Sequence, residues 1–171
     1  MVRIFVYMSY KTKDDSHNLA NEPMDIYLTR SSFNPFNSLF GSDKLLKFTS
    51  DFDIVKVARA GFPKRVLLAF AKKISLNIQE LSNILHISER TLQRYDDDAI
   101  IKTEYAEKAI ELARLYTRGE EVFGSMDKFK LWVKAPSVIF NGEAPVSMLD
   151  TSAGFDMVFK ELGRIEHGIF A

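Results

Sequence analysis

The side chains of this 171-residue chain that could do chemistry are few and widely separated. Its histidines are His17, His86 and His167, and none stands at helical spacing from a second metal ligand. A zinc or iron site needs three or four converging ligands, so neither a metal nor a cofactor is expected. There is no cysteine, which excludes thiolate ligands and disulfides and fits a reducing compartment. A serine nucleophile needs a base beside it, and no such base is recognisable. Gly61, Gly119, Gly124, Gly142, Gly154, Gly163 and Gly168 stand singly, as helix ends and loops, rather than in a phosphate-cradling run. Asp150 and Glu161 read as a cap and a solvated helix surface, not as an acid–base pair. The chain therefore reads as a binding protein rather than an enzyme.

Recognition chemistry is concentrated in two places. The first is Ser88, Arg90, Thr91, Gln93 and Arg94. On one short helix these side chains could meet phosphates and base edges, since arginine pairs well with guanine and glutamine with adenine. The second is the stretch Leu162 to Ala171, where an apolar helical stripe leads to Gly168 and then to Ile169 and Phe170. Exposed, that pair would be unfavourable in water. It is expected to fold back onto its own domain or to enter a partner's cleft, where a terminal carboxylate could meet an arginine.

The elements that position these residues follow the helical period. Phe52, Val55 and Ala58 open a helix that Gly61 ends, and Pro63 suits the first turn of the next. That helix shows one apolar face, Val66, Leu67, Phe70, Ala71 and Ile74. Asn77 and Glu80 form a capping-box pair before a helix over 78–85, and Ser88 caps a second over 89–95. Leu81, Leu85, Ile87, Leu92 and Tyr95 then fall where a helix-turn-helix needs apolar contacts, with small Ser82 at the crossing and His86 at the turn. A hairpin used only for packing or dimerisation satisfies the same pattern, and Asp96, Asp97 and Asp98 would repel phosphate.

Further on, Thr103 caps a helix to about Arg118, with Tyr105, Ala109, Leu112, Ala113 and Tyr116 inward. Ser125 caps a helix over 126–134 that presents Met126, Phe129, Trp132 and Val133. Pro145 opens a single turn, and Thr151 caps a last helix striped by Phe155, Val158, Phe159, Leu162 and Ile165. Residues 2–8 alternate as a short strand would, and residues 9–42 read as loop with Phe33, Phe36 and Phe40 as anchors.

Composition agrees with a folded domain: 46% hydrophobic and 12% aromatic residues suffice for a core. Lysine plus arginine equals aspartate plus glutamate, at 23 each. Residues 56–118 hold twelve basic against eight acidic groups, a surplus of four, whereas residues 119–171 hold five against eight. A basic middle could face phosphate while the end does something else. No apolar run approaches the ~20 residues that span a bilayer, so a soluble cytoplasmic protein is expected.

Several segments, taken in order, resemble one known family. They are Ala60-Gly61-Phe62-Pro63-Lys64-Arg65, Ile87 to Arg94, Glu121-Val122-Phe123-Gly124 and Trp132-Val133. Asn141-Gly142 with Ala144-Pro145, Leu149-Asp150-Thr151 with Gly154, and Leu162 to Gly168 complete the series. Together they resemble the Xre/MbcA/ParS antitoxins of RES-Xre type II toxin–antitoxin systems. The resemblance covers about residues 52–171; Val138 to Gly142 departs from the usual Leu-Gly-Gly run, and residues 1–50 match nothing.

The resemblance implies an all-α protein: an irregular extension over 1–50, an Xre-like helix-turn-helix and dimerisation domain over 51–118, and a small helical toxin-binding domain over 119–171. It implies a homodimer whose partners are a RES-domain toxin that consumes NAD and its own operator DNA, with no membrane involved. It places toxin contact at Arg164, His167, Gly168, Ile169, Phe170 and Ala171, which would occlude the toxin's active site. The competing expectation is a helix-turn-helix regulator without a toxin.

Overall fold

Helix α1 (Asp51–Ala60) ends at Gly61, whose backbone is left-handed (φ 69°). A β-carbon there would run into the Ile101 carbonyl, so this turn requires glycine on both counts. The chain beyond it pairs with the segment before a later helix: Ile101 N–H donates to the Phe62 carbonyl (3.0 Å) and Lys64 N–H to Ala99 (2.9 Å). Helix α2 (Lys64–Lys73) follows, with Pro63 at its N-cap position rather than in its first turn. The Pro63 carbonyl accepts from Val66 N–H at 2.9 Å, which starts the helix without any side-chain cap. Val66, Leu67, Phe70, Ala71 and Ile74 are all buried, as the apolar period predicts.

Helices α3 (Ile78–Leu85) and α4 (Glu89–Arg94) form the helix-turn-helix pair. Helix α5 (Thr103–Phe123) is the longest described element and runs five residues past the end expected at Arg118. Its N-cap is Lys102, not Thr103; the Thr103 hydroxyl instead donates to the carbonyl of Arg59 (3.3 Å), one of the orphan acceptors ending α1. Gly119 does not punctuate the chain but lies inside α5, and Gly154 and Gly163 likewise lie inside the last helix.

Helix α6 (Met126–Lys134) begins after Gly124, and the Ser125 hydroxyl makes no cap bond; its carbonyl accepts from Phe129 N–H instead. Two 3-10 turns, Val138–Phe140 and Pro145–Asp150, lead to helix α7 (Ser152–Glu166). Thr151 caps α7 by accepting from Gly154 N–H at 3.0 Å.

The computed structural model describes Phe40 and residues 51–168, which lie in one compact unit, Ser32–Ala171. The strand expected at residues 2–8, the loop at 9–42 apart from Phe40, and Ile169, Phe170 and Ala171 lie outside the described residues. Among the described residues the regular elements are all helical, with a single isolated bridge between Pro63 and Ile100 and no strand. Phe40 is an anchor, as expected, but it is helical rather than loop. It is buried, stacked on Phe70 (4.6 Å) and edge-on to Phe62 (5.4 Å).

The core is continuous along α5, which packs against α1, α3, α6 and α7. Tyr105, Ala109, Leu112, Ala113 and Tyr116 all point inward. Phe129 of α6 lies directly over Gly119, edge-on to Tyr116 (5.0 Å) and stacked on Trp132 (5.8 Å). The absence of a side chain at position 119 is what lets that ring reach the helix. Tyr116 is fully buried, and burial first, with the Glu80 charge second, pushes its phenol above its usual range.

Two stability predictions follow from this packing. An alanine inside a helix is ordinarily worth about 1 kcal/mol over glycine, but Gly119→Ala should instead cost about 1–3 kcal/mol by overpacking against Phe129, measured by urea unfolding. A raised folded pKa on a phenol means its stability is present below the unfolded value and lost as pH rises past about 10. Tyr116→Phe should therefore lose part of that alkaline destabilisation while unfolding as the parent does near neutrality, read from Tm against pH.

Candidate functional site

The first candidate surface is built on α3 and α4. Asn77 accepts from Glu80 N–H (2.8 Å) while the Glu80 carboxylate accepts from Asn77 N–H (2.7 Å), the reciprocal capping box. Ser88 accepts from Thr91 N–H (3.0 Å), and its hydroxyl also meets that of Thr91 (2.7 Å). Ser88 and Thr91 are thus occupied in starting α4. Leu81, Leu85, Ile87 and Leu92 are buried between the helices, and Ser82 is buried where they cross.

Ser88, Arg90, Thr91, Gln93 and Arg94 are all exposed, while Leu92 turns inward; Arg90 and Arg94 lie on the side of α4 away from Leu92. Such a helix can lie in a major groove with two guanidinium groups and an amide outward. Two of the three neighbouring acidic side chains are paired, though both stay exposed. Lys64 Nζ contacts Asp97 at 3.0 Å and donates to the Tyr95 carbonyl at 2.6 Å, and Arg65 Nε pairs with Asp98 at 2.8 Å. The Lys64 side chain is 9% exposed, so its ammonium also fixes the loop that follows α4.

His86 occupies the turn in the left-handed region (φ 52°, ψ 40°). A residue with a Cβ pays for that conformation, and the ring supplies a compensating contact. Nε2 lies 2.7 Å from the carbonyl of Asp150, so the helix-turn-helix corner is hydrogen-bonded to the second 3-10 turn. A second tie joins Lys134 Nζ of α6 to the Glu80 carboxylate (2.9 Å). Spacing along the chain does not signal either link, because the partners are 64 and 54 residues apart.

The second candidate surface is the end of α7. Phe155, Val158 and Leu162 are buried and Phe159 and Ile165 half-buried, so the expected stripe is present. Glu161 is a correction: instead of forming a solvated surface, it is 6% exposed and pairs with Arg164 at 3.4 Å. Arg164 is half-buried, while His167 and Gly168 are exposed. His167 N–H donates to Gly163 (3.2 Å) and Gly168 N–H to Ile165 (3.0 Å), and Gly168 then turns left-handed (φ 67°).

One further group joins this end. Arg118 of α5 donates through Nη2 to the Glu166 carboxylate and through Nη1 to Glu121 (3.3 Å). Among the described residues, no group of three or more histidine, aspartate or glutamate side chains could hold a metal ion, and no helix is long and apolar enough to cross a membrane.

Fold and surfaces define a helical binding protein of the helix-turn-helix class. Residues 53–114 match the antitoxin Xre-like helix-turn-helix domain, and residues 118–168 match the antitoxin Xre/MbcA/ParS C-terminal toxin-binding domain. A similar protein is the Prs ADP-ribosylating antitoxin of Sphingobium sp. (strain YBL2), 25% identical over 138 residues, which cover 75% of this chain and 87% of that one. The chain belongs to the Xre/MbcA/ParS antitoxin family. It is an antitoxin, not an enzyme, and its partner is a toxin.

The corner at His86 is directly testable. His86→Ala should cost about 1–2 kcal/mol, combining the lost hydrogen bond with retained backbone strain. His86→Gly should recover about 1 kcal/mol of that loss by relieving the strain. Urea unfolding of the two variants side by side reads the difference; equal stabilities would show that the left-handed turn carries no cost.

Proposed function

We propose that this antitoxin neutralises a RES-domain, NAD-consuming toxin by seating its C-terminal segment in the toxin's active-site entrance. Arg164, His167, Gly168, Ile169, Phe170 and Ala171 make the contact in this reading. The observation that carries it is the build of α7: a capped, core-anchored helix whose last turn closes on Gly163 and Ile165. A segment leaving a helix anchored in the core loses less freedom on binding than one leaving an unanchored end. The relative's name speaks of ADP-ribosylation, a chemistry that draws on NAD, which supports an NAD-consuming target. The antitoxin does no chemistry itself; it fills the space the substrate would take.

The same proposal makes the protein a cytoplasmic homodimer that represses its own operon through Ser88, Arg90, Thr91, Gln93 and Arg94. The exposure of both arginines and the pairing of Asp97 and Asp98 with Lys64 and Arg65 support that part. The arrangement fits a helix-turn-helix regulator without a toxin equally well, but the match of residues 118–168 to a toxin-binding domain favours the antitoxin reading.

Burial of Ile169 and Phe170 is worth ~3–5 kcal/mol before ordering costs, so the face of α7 must add to it. Titrating the co-encoded toxin's NAD loss with full-length protein and with a version ending at Glu166 separates the contributions. Full-length protein is expected to stop NAD loss and the shortened version to fail although folded; equal inhibition by both would refute tail occlusion. On upstream DNA, Arg90→Ala and Arg94→Ala should each weaken binding and lower the salt slope by about 1. Binding indifferent to salt would remove the DNA role.

A further inference from the structure

Glu166 stands where an acidic residue is electrostatically out of place. It is the final helical residue of α7, and the C-terminal end of a helix carries partial negative charge that repels a carboxylate. Its partner is Arg118, which comes from α5, 48 positions earlier in the chain. The guanidinium is gripped from two sides, by Glu121 on its own helix and by Glu166 on α7. A planar fork held at both edges fixes direction as well as distance.

Magnitude argues that this contact does something other than hold the fold. The Arg118 and Glu166 side chains are 36% and 39% exposed, and an ion pair so accessible to water adds little to global stability. A final helical turn, however, opens at almost no cost, so a small bias there changes how often it is formed. The turn in question contains the bonds from His167 N–H to Gly163 and from Gly168 N–H to Ile165. Arg164, two residues before Glu166, is paired instead with the buried Glu161.

We propose that Arg118 is a positioning residue for toxin neutralisation: by holding Glu166, it keeps closed the last turn of α7, which carries Arg164, His167 and Gly168. This rests on the tail-occlusion reading above. It makes the residue that governs the toxin-facing end part of the helix shared with the helix-turn-helix.

The test uses full-length protein and the co-encoded toxin. Arg118→Glu and Glu166→Arg are each expected to raise the amount needed for half-maximal inhibition of NAD loss by about 3- to 10-fold. Thermal unfolding should shift little, and the amides of His167 and Gly168 should exchange faster with deuterium. Arg118→Glu combined with Glu166→Arg rebuilds the pair with reversed polarity beside the remaining Glu121 carboxylate, and should return inhibition and amide protection part of the way toward the parent.

Singles that inhibit like the parent would overturn the proposal, and so would a double variant no better than either single. The version ending at Glu166 keeps the two readings apart. If it fails to inhibit while the single variants inhibit normally, occlusion stands and the role of Arg118 falls. If it inhibits as well as full-length protein, both fall.

Discussion

Helix α5 is 21 residues long, about 31 Å, and nearly everything else in the described structure is arranged by the need to bury it. An amphipathic surface helix has one apolar stripe, whereas α5 buries Tyr105, Ala106, Ala109, Ile110, Leu112, Ala113, Leu115 and Tyr116 against partners on several sides. α1, α3, α6 and α7 all pack against it. Small residues at 106, 109, 113 and 119 leave room for those partners, and the Phe129 ring lies over Gly119. Because α5 begins inside the helix-turn-helix match and continues into the toxin-binding match, the two halves share a core rather than meeting at a seam.

Polar contacts then refine what the core fixes. His86 to the Asp150 carbonyl and Lys134 to Glu80 join the corner of the helix-turn-helix to the later elements, while Lys64 pins the loop after α4. All are at the edges of the core, where a hydrogen bond or ion pair contributes modestly to stability but strongly restricts geometry. The two candidate surfaces follow from the same frame: α4 is displayed by its packing on α3, and the end of α7 is held by its buried stripe, with Glu166 paired to Arg118.

Periodicity made most of this fold legible. The buried faces of α2, α5, α6 and α7, the Asn77–Glu80 box and the Thr151 cap are local patterns, set by neighbours three and four residues apart. Misjudgements came where tertiary contact overrode local preference. Gly119 looks like a helix end until Phe129 is placed over it, and Thr103 looks like a cap until its hydroxyl is seen on Arg59. Glu161 looks solvated because a single sequence gives no sign that its helix face is covered. At the candidate site the exposed side chains of α4 were readable from their spacing, but Arg118 was not, since its partner is distant in the chain.

The shared helix has a consequence for how such proteins can diversify. Families built from separable modules acquire new specificities by recombination, one module being exchanged for another at a linker. Here a crossover near residue 118 would fall in mid-helix, between Tyr116 and Gly119, and would ask one parent's aromatic shelf to accept the other parent's ring. It would also separate His86 from the carbonyl it reaches and Glu80 from its lysine. Chimeras between paralogues should therefore inherit mismatched interiors, and new specificities are more readily reached by point substitution on exposed faces than by shuffling halves.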